Sequence, residues 1–216
     1  LLQHLLNVIN EVQEKNEPVE LDCDNAGTVF RFLTALLSAT PGKWVLTGSQ
    51  RMQQRPVGPL VSALKNLGAK INWSNEKGYP PLEITGKKLK GGKIDVDTSQ
   101  SSQFVSGLML IAPLLESDLT LRMTGRVGSL PYIMMTTGLL EHFGMDISVE
   151  NQVIHLNQGK FRENELEIEA DWSSAAFWYE LAALSKTADI FLHGLSEQSL
   201  QGDSILPEIF TSFGIK

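Results

Sequence analysis

The sequence is poor in cysteine, in positive charge and in long apolar runs, and each shortage excludes a class of protein. A single cysteine, Cys23, rules out an internal disulfide and a cysteine-rich zinc site, and it predicts a reducing compartment such as the cytoplasm. With 18 Lys and Arg against 25 Asp and Glu, the net charge of −7 argues against general binding to nucleic acid or to membrane surfaces. No run reaches the roughly 18 apolar residues that cross a bilayer. We therefore predict no nucleic-acid and no membrane partner, whereas a few arginines can still form a pocket for a small anion.

The chain also has no excess of glycine or proline, which bears on its domain organisation. Its 216 residues include 18 Gly and 9 Pro, near the average for globular proteins, and no linker-like segment divides them. We therefore predict a single domain over residues 1–216. The sequence starts without Met and stops just after a glycine typical of a helix end, so we expect this domain to be part of a longer protein.

One pattern of secondary structure recurs along the sequence. Alternating apolar and acidic residues, typical of strands, lead to aspartates at positions 24, 97 and 171, which gives a period of about 73 residues. Each copy continues with a helix that is apolar nearly all round, a short strand that ends in glycine, and an amphipathic helix opened by or near proline. These segments are 30–37, 104–115 and 175–184 for the apolar helices, 44–48, 119–125 and 189–194 for the strands, and 56–67, 131–143 and 205–213 for the amphipathic helices. Two hairpins, within residues 70–85 and 146–157, complete the first two copies.

This order of elements predicts an α/β fold built as an inside-out three-fold repeat of βαβαββ units. Helices that are apolar on all sides belong in the interior, and strands of alternating polarity belong outside with one wet face. We therefore expect buried helices surrounded by sheets. Residues 1–12 predict a helix left from a preceding copy, and the third copy lacks its closing hairpin.

Candidate functional residues lie where the apolar helices begin. Each start carries small polar residues (25–28, 101–103 and 173–174), and the free N–H groups of a helix N-terminus attract phosphate and carboxylate. Ordinary capping is the alternative at any one helix.

Arg31 lies one turn into the first helix, and Arg51 and Arg55 lie in the loop of residues 49–59. Arginine suits bidentate binding of anions, and Arg55, held before Pro56, is the better candidate of the loop. The histidines lack metal-ligand spacing, so we predict no metal site.

Five segments occur together in a specific combination. They are NAGTVFRFLTA (25–35), RMQQRPVGPLVSALKNLGA (51–69), SSQFVSGLMLIAP (101–113), SLPYIMMT (129–136) and QGD (201–203). Together they resemble the 5-enolpyruvylshikimate-3-phosphate synthases, also called 3-phosphoshikimate 1-carboxyvinyltransferases. The resemblance extends from about residue 21 to the end of the chain.

The resemblance implies a transferase of the shikimate pathway, which leads to chorismate and the aromatic amino acids. The family reaction joins the 5-hydroxyl of shikimate 3-phosphate to the enolpyruvyl (carboxyvinyl) group of phosphoenolpyruvate, releases phosphate and uses no cofactor. Members of the family, the target of glyphosate, have two domains of three such units with the active site between them. This chain matches the N-terminal domain, so the implied partner is the C-terminal domain of the same polypeptide. We expect this chain alone to bind shikimate 3-phosphate weakly, without turnover.

The resemblance also assigns residues to the two substrates. Around shikimate 3-phosphate it places Ser101, Ser102, Gln103, Ser129 and Tyr132. On the phosphoenolpyruvate side it places Gly27, Arg55 and again Gln103. Arg31 lines the cleft. The resemblance also places Gln103 and Asp203 along the cleft, where they are the candidates for catalytic residues within this chain. The family's catalytic lysine is expected upstream of Leu1, and its acid/base carboxylates beyond Lys216.

Some residues depart from the family, and two alternatives stay open. Phe32 stands where many members have proline, and Leu130 and Met134 stand where polar residues are frequent. The first alternative is UDP-N-acetylglucosamine enolpyruvyl transferase, which shares the fold but carries a reactive cysteine in the loop that matches residues 49–59. That loop has no cysteine here. The second alternative is a non-catalytic anion-binding module, against which the retained set of ligand residues argues.

Overall fold

The computed structural model describes residues 17–159 and 161–215, and the chain divides into two compact units, Leu1–Arg162 and Glu163–Lys216. The helix predicted for residues 1–12 lies outside the described residues. The single domain expected over residues 1–216 stays a prediction.

The first unit contains two consecutive βαβαββ copies. The first copy consists of β1 (Val19–Asp22), α1 (Gly27–Ala39), β2 (Gly42–Thr47), α2 (Gly58–Asn66), β3 (Lys70–Trp73) and β4 (Leu82–Gly86). The second copy consists of β5 (Gly92–Asp97), α3 (Gln103–Leu110), β6 (Leu119–Thr124), α4 (Leu130–His142), β7 (Asp146–Glu150) and β8 (Val153–Asn157). The predicted order of elements is confirmed in both copies. The second helix of each copy stops, as predicted, at a glycine in the left-handed region: Gly68 (φ +95°) and Gly144 (φ +92°).

Each copy forms a four-stranded mixed sheet with the same topology. The strand orders are β1-β2-β4-β3 and β5-β6-β8-β7, and the first pair in each sheet is parallel while the other two pairs are antiparallel. Strand β4 shows the pattern of burial: Leu82 and Ile84 are buried, and Glu83 and Thr85 between them are exposed. Each sheet therefore has one face for the core and one for solvent, as the alternation predicted.

Helices α1 and α3 pack against each other in the core of the first unit. Phe30 and Leu37 of α1 and Phe104 and Leu108 of α3 have no exposed surface. Burial of each such side chain contributes roughly 1.5–3 kcal/mol to folding. The inside-out arrangement, with apolar helices inside and sheets outside, is therefore confirmed for this unit.

The second unit departs from the repeat in its strands. Helices α5 (Trp172–Leu184) and α6 (Leu206–Thr211) form near the predicted helices 175–184 and 205–213, with a 3-10 turn (Gly202–Ile205) before α6. The segment predicted as a strand before Asp171 and the one predicted over 189–194 form no strand. One hydrogen bond, from the Ala170 N–H to the Gly194 carbonyl (2.7 Å), joins the two segments. In the first unit, the hairpins β3–β4 and β7–β8 extend the parallel strand pairs β1–β2 and β5–β6. The described residues of the second unit form no such hairpin. Two short parallel strands alone gain too little to offset the cost of ordering them.

Helix α5 also differs from the prediction in its burial. Only Trp172 and Ala175 are buried, whereas Phe177 is 73% exposed and Leu184 is 88% exposed. Helix α1 packs against β2 and β4, and α3 packs against α1, α2 and α4, whereas α5 packs against α6 and the 3-10 turn with no strand beside it among the described residues. The expectation of a buried helix is therefore wrong for α5 in this chain.

Candidate functional site

The first turns of α1 and α3 lie next to each other and are joined by side-chain hydrogen bonds. Gln103, the first residue of α3, donates from Nε2 to Oγ1 of Thr28 on α1 (2.7 Å). Arg31, one turn further along α1, donates from Nη1 to Oε1 of the same Gln103 amide (2.6 Å). Both ends of the amide therefore have partners, and the expected meeting of helix starts is confirmed for α1 and α3.

Arg31 lies beneath this amide as a buried positive charge. It is 5% exposed, its guanidinium carbon lies 5.3 Å from the centre of the Phe104 ring, and its Nε has no hydrogen-bond partner. Burial, and next the positive charge of Arg55, lower the pKa of Arg31 to about 10, so the side chain stays protonated at neutral pH. Because the hydrogen-bond partner of Arg31 is a neutral amide, its buried positive charge is not balanced by that partner. An anion bound nearby would therefore be stabilised by this charge.

Arg55 reaches the start of α1 because residue 27 is glycine. A 3-10 turn (Met52–Gln54) precedes Arg55, whose N–H donates to the Met52 carbonyl (3.0 Å). The Arg55 guanidinium then packs so closely on Gly27 that a Cβ at that position would overlap it. No carboxylate within the described ranges forms a salt bridge with Arg31 or Arg55. Two guanidinium groups and the free N–H groups of α1 therefore meet without a compensating negative charge.

Ser101 and Ser102 precede α3 and are half-buried. The Ser101 Oγ accepts from the N–H of Gln103 (3.2 Å), a bond that leaves the hydrogen of this hydroxyl for a ligand. Ser102 is the residue directly before the helix and makes no side-chain capping bond. Its hydroxyl is therefore available to a ligand at the helix start.

Ser129 and Tyr132 lie at the start of α4, on the helix that packs beside α3. Ser129 takes the left-handed conformation (φ +49°), and its carbonyl accepts from the Tyr132 N–H (3.1 Å). Further along α4, the Thr136 hydroxyl donates to the Tyr132 carbonyl (2.8 Å) and is hydrogen-bonded to the Ser106 hydroxyl on α3 (3.1 Å). Tyr132 is 54% exposed. Within the described part of the chain no hydrogen bond joins Ser129 or Tyr132 to the group around Gln103.

Asp203 and the third helix start belong to the second unit, where the local chemistry is different. Asp203 accepts from the Ser173 hydroxyl (2.5 Å), and Asp171 accepts from the Ser174 hydroxyl (2.7 Å). Asp171 is also the N-cap of α5, because it accepts from the Ser173 N–H (2.9 Å). Carboxylates thus occupy the helix start, and α5 lacks the positive surroundings that α1 and α3 share.

Two contacts of the site were not predicted from the sequence. Thr28 bonds to a residue 75 positions away, and Phe104 lies under an arginine of another helix. Both contacts join one copy of the repeat to the next. The spacing of residues within one helix does not indicate which side chains of another helix they contact. Only the packing of α1 on α3 therefore reveals these two contacts.

Cys23 follows β1, has no exposed surface and belongs to the hydrophobic core. Burial, and next the charge of Asp22, raise the pKa of its thiol to about 12. The thiol is therefore protonated at neutral pH and unreactive. It does not supply the reactive cysteine that UDP-N-acetylglucosamine enolpyruvyl transferase carries in another segment.

We expect iodoacetamide at pH 8 to leave Cys23 unmodified in the folded chain and to alkylate it fully in denaturant, as measured by mass spectrometry. Because the folded thiol has a higher pKa than its ordinary value of 9.0, its contribution to stability is complete below pH 9 and is lost as the pH rises toward 12. The Cys23→Ser variant, which has no thiol, is the control for side reactions. Equal alkylation rates in the folded and denatured chain would contradict this account.

Two features are absent from the described residues, a membrane-spanning helix and a cluster of metal ligands. None of the helices in this part of the chain combines the length and the hydropathy needed to cross a membrane. The same residues contain no group of three or more His, Cys, Asp or Glu side chains arranged to hold a metal ion.

Comparison with known proteins identifies relatives along nearly the whole chain. A family model described as EPSP synthase (3-phosphoshikimate 1-carboxyvinyltransferase) matches residues 5–216. The 3-phosphoshikimate 1-carboxyvinyltransferase of Bacteroides fragilis is 44% identical over 209 residues, which cover 96% of this chain and 50% of that protein. The corresponding protein of Sulfurovum sp. is 38% identical over 203 residues, which cover 93% of this chain and 47% of that protein.

The fold has relatives among solved structures as well. The EPSP synthase from Acinetobacter baumannii superposes with a TM-score of 0.68 at 32% identity, covering 82% of this chain and 39% of that one. The chain spans about half the length of the curated relatives it matches. The resemblance carried by the five sequence segments and the predicted fold class are thus both confirmed. By its family model, its relatives and its fold, the chain belongs to the EPSP synthase (3-phosphoshikimate 1-carboxyvinyltransferase) family.

Proposed function

We propose that the first unit of this chain forms part of an enolpyruvyl transferase site that binds shikimate 3-phosphate and phosphoenolpyruvate. The observation that carries the proposal is the meeting of Arg31 and Arg55 at the joined starts of α1 and α3, with no described carboxylate bridging them. Both substrates are anions, and such a cluster attracts anions while it repels cations. Membership of the family supports these two anions among the many that would fit.

The residues divide between the substrates by position. Ser101 and Ser102 directly precede α3, and their hydroxyls would hold the phosphate of shikimate 3-phosphate at the helix start. Ser129 and the half-exposed Tyr132 on α4 would line the same ligand. At the start of α1, Arg55 and the free N–H groups beside Gly27 would hold phosphoenolpyruvate, and Gln103 lies between the two groups.

The reaction requires the two anions to lie close together. The 5-hydroxyl of shikimate 3-phosphate would lose its proton as its oxygen bonds to C2 of phosphoenolpyruvate, while C3 takes up a proton and the C2–C3 double bond becomes single. Loss of a proton from C3 would then restore the double bond as the bond from C2 to the phosphate oxygen breaks and phosphate leaves. Bringing the substrates together costs electrostatic repulsion, which positive groups at both helix starts would offset. We propose that the C-terminal domain of the same polypeptide completes the site.

Loss of the serine pair tests the shikimate 3-phosphate assignment. We expect Ser101→Ala/Ser102→Ala to weaken shikimate 3-phosphate binding at least about tenfold, because two hydroxyl donors to a charged phosphate are removed. Isothermal titration calorimetry of the 216-residue chain measures the change. The matched control is Ser173→Ala/Ser174→Ala, since that pair lies at a helix start but already donates to Asp203 and Asp171. Equal binding by the wild type and the first double variant would remove Ser101 and Ser102 from the site.

The 216-residue chain alone is expected to give no turnover. Half of the charged cleft is assigned to the other domain, so the chain would bind a substrate without completing the transition-state contacts. Phosphate release from shikimate 3-phosphate plus phosphoenolpyruvate measures turnover, with a full-length relative as the positive control. Turnover by the chain alone at a rate comparable to that relative would overturn the assigned need for a second domain.

A further inference from the structure

We propose that Arg31 is a positioning residue that acts through Gln103, by holding the side-chain amide of Gln103 with an N–H, rather than its carbonyl oxygen, available to the ligand. This inference rests on the proposed function, because it assumes that Gln103 meets an anionic substrate. It separates the two arginines of the site: Arg55 contacts the ligand, and Arg31 orients a residue that does.

The orientation of the Gln103 amide is determined by its two partners taken together. Thr28 alone would accept either orientation, because a hydroxyl both donates and accepts hydrogen bonds. A guanidinium has only donors, so Arg31 requires the oxygen of the amide to face it. The bond from Arg31 Nη1 to Oε1 (2.6 Å) therefore directs Nε2 toward Thr28 (2.7 Å). An amide nitrogen carries two N–H groups, so one remains for an anion after the bond to Thr28.

The burial of Arg31 suits a positioning role better than direct contact. Its side chain is 5% exposed and lies over the Phe104 ring, so it is held from below and covered by Gln103 above. Arg55 is half-buried, and it reaches the open start of α1 across Gly27. An incoming anion would therefore meet Arg55 and Gln103 directly and meet Arg31 only through the amide.

The consequence of losing Arg31 follows from this arrangement. Without the guanidinium, the Gln103 amide is free to rotate and to present its oxygen, which repels a phosphate or carboxylate. The loss should therefore weaken anion binding only while Gln103 is present. A residue that contacted the anion itself would show its effect with or without Gln103.

A double-mutant cycle on the 216-residue chain, with shikimate 3-phosphate as the ligand, distinguishes the two roles. Arg31→Met keeps the length and the apolar stem over Phe104, and we expect it to weaken binding about tenfold. In the Gln103→Ala background the same substitution should change binding less than about twofold. Arg31→Lys, which retains a charge and a donor, should restore most of the affinity. Arg122→Met, at an exposed arginine paired with Asp95, is the matched control and should bind like the wild type. A tenfold loss from Arg31→Met in both backgrounds would overturn the proposal.

A ligand-free measurement keeps this test separate from that of the proposed function. In the wild type, the side-chain amide of Gln103 should give two distinct ¹H–¹⁵N signals that exchange slowly with solvent. Arg31→Met should shift the two signals toward their positions in a solvent-exposed glutamine and accelerate their exchange with solvent, whereas Arg31→Lys and Arg122→Met should not. Unchanged Gln103 signals in Arg31→Met would overturn the positioning role even if shikimate 3-phosphate binds. If the wild type binds no shikimate 3-phosphate but the signals respond as expected, the proposed function fails and the positioning of Gln103 by Arg31 stands.

Discussion

Gly27→Ala is expected to weaken phosphoenolpyruvate binding at the start of α1 by about tenfold or more. A Cβ at residue 27 would overlap the Arg55 guanidinium, so this side chain would have to leave the helix start. The overlap is with the far end of a flexible side chain rather than with backbone, so the fold should be retained. Chemical-shift titration of the amides of Gly27 and Thr28 in the wild type, and of the same positions in the variant, measures the dissociation constant even when it is millimolar.

A second glycine in the same helix pair provides the control for Gly27→Ala. A Cβ at Gly107 on α3 would lie 3.6 Å from the Arg31 carbonyl oxygen and from Phe32 Cδ1, which is ordinary van der Waals contact. Gly107→Ala should therefore leave binding unchanged and stabilise α3 by up to about 1 kcal/mol, because alanine loses less backbone entropy. If Gly27→Ala binds phosphoenolpyruvate as tightly as Gly107→Ala does, then Arg55 does not bind phosphoenolpyruvate at the start of α1.

Phe104→Ala is expected to lower the free energy of unfolding of the first unit by about 3–5 kcal/mol. Phe104 has no exposed surface, so the substitution leaves a cavity between α1 and α3 and also removes the ring beneath Arg31. Strand β2 pairs with β4 in the first sheet, and β6 pairs with β5 in the second. Hydrogen exchange of the backbone amides of β2 and β6 therefore measures the stability of this unit.

The matched comparison is Phe177→Ala on α5. Phe177 is 73% exposed, so its removal should change the free energy of unfolding by no more than about 0.5 kcal/mol. The two phenylalanines lie in apolar helices of the same repeat, and the sequence alone would assign them the same effect. Equal losses from the two substitutions would show that α5 is covered as fully as α3.

Much of the first unit could be predicted because its signals are local. In β4, apolar Leu82 and Ile84 alternate with Glu83 and Thr85, and this period of two specifies a strand with one buried face. Gly68 and Gly144 end their helices because a left-handed residue closes the last turn at little cost in glycine. The recurrence of the same order predicted three βαβαββ copies, and the first unit contains two of them.

The candidate site was predictable as a set of residues but not as an arrangement. Gly27, Arg55, Ser101, Ser102 and Gln103 were assigned by resemblance to a family, without any indication of how they touch. The bonds of Gln103 to Arg31 and Thr28 span two copies of the repeat, so they exist only once α1 packs on α3. The same packing buries Arg31, and that burial is what separates its role from the role of Arg55.

The sequence by itself determined the elements of this protein, its period of about 73 residues and the family to which its motifs belong. Only the tertiary structure decided which apolar helices are buried. Helices α3 and α5 have the same apolar character, yet Phe104 is fully buried and Phe177 is largely exposed. The physical reason is that burial depends on partners distant in the sequence: α3 packs against the three helices α1, α2 and α4, whereas α5 packs against α6 and the preceding 3-10 turn.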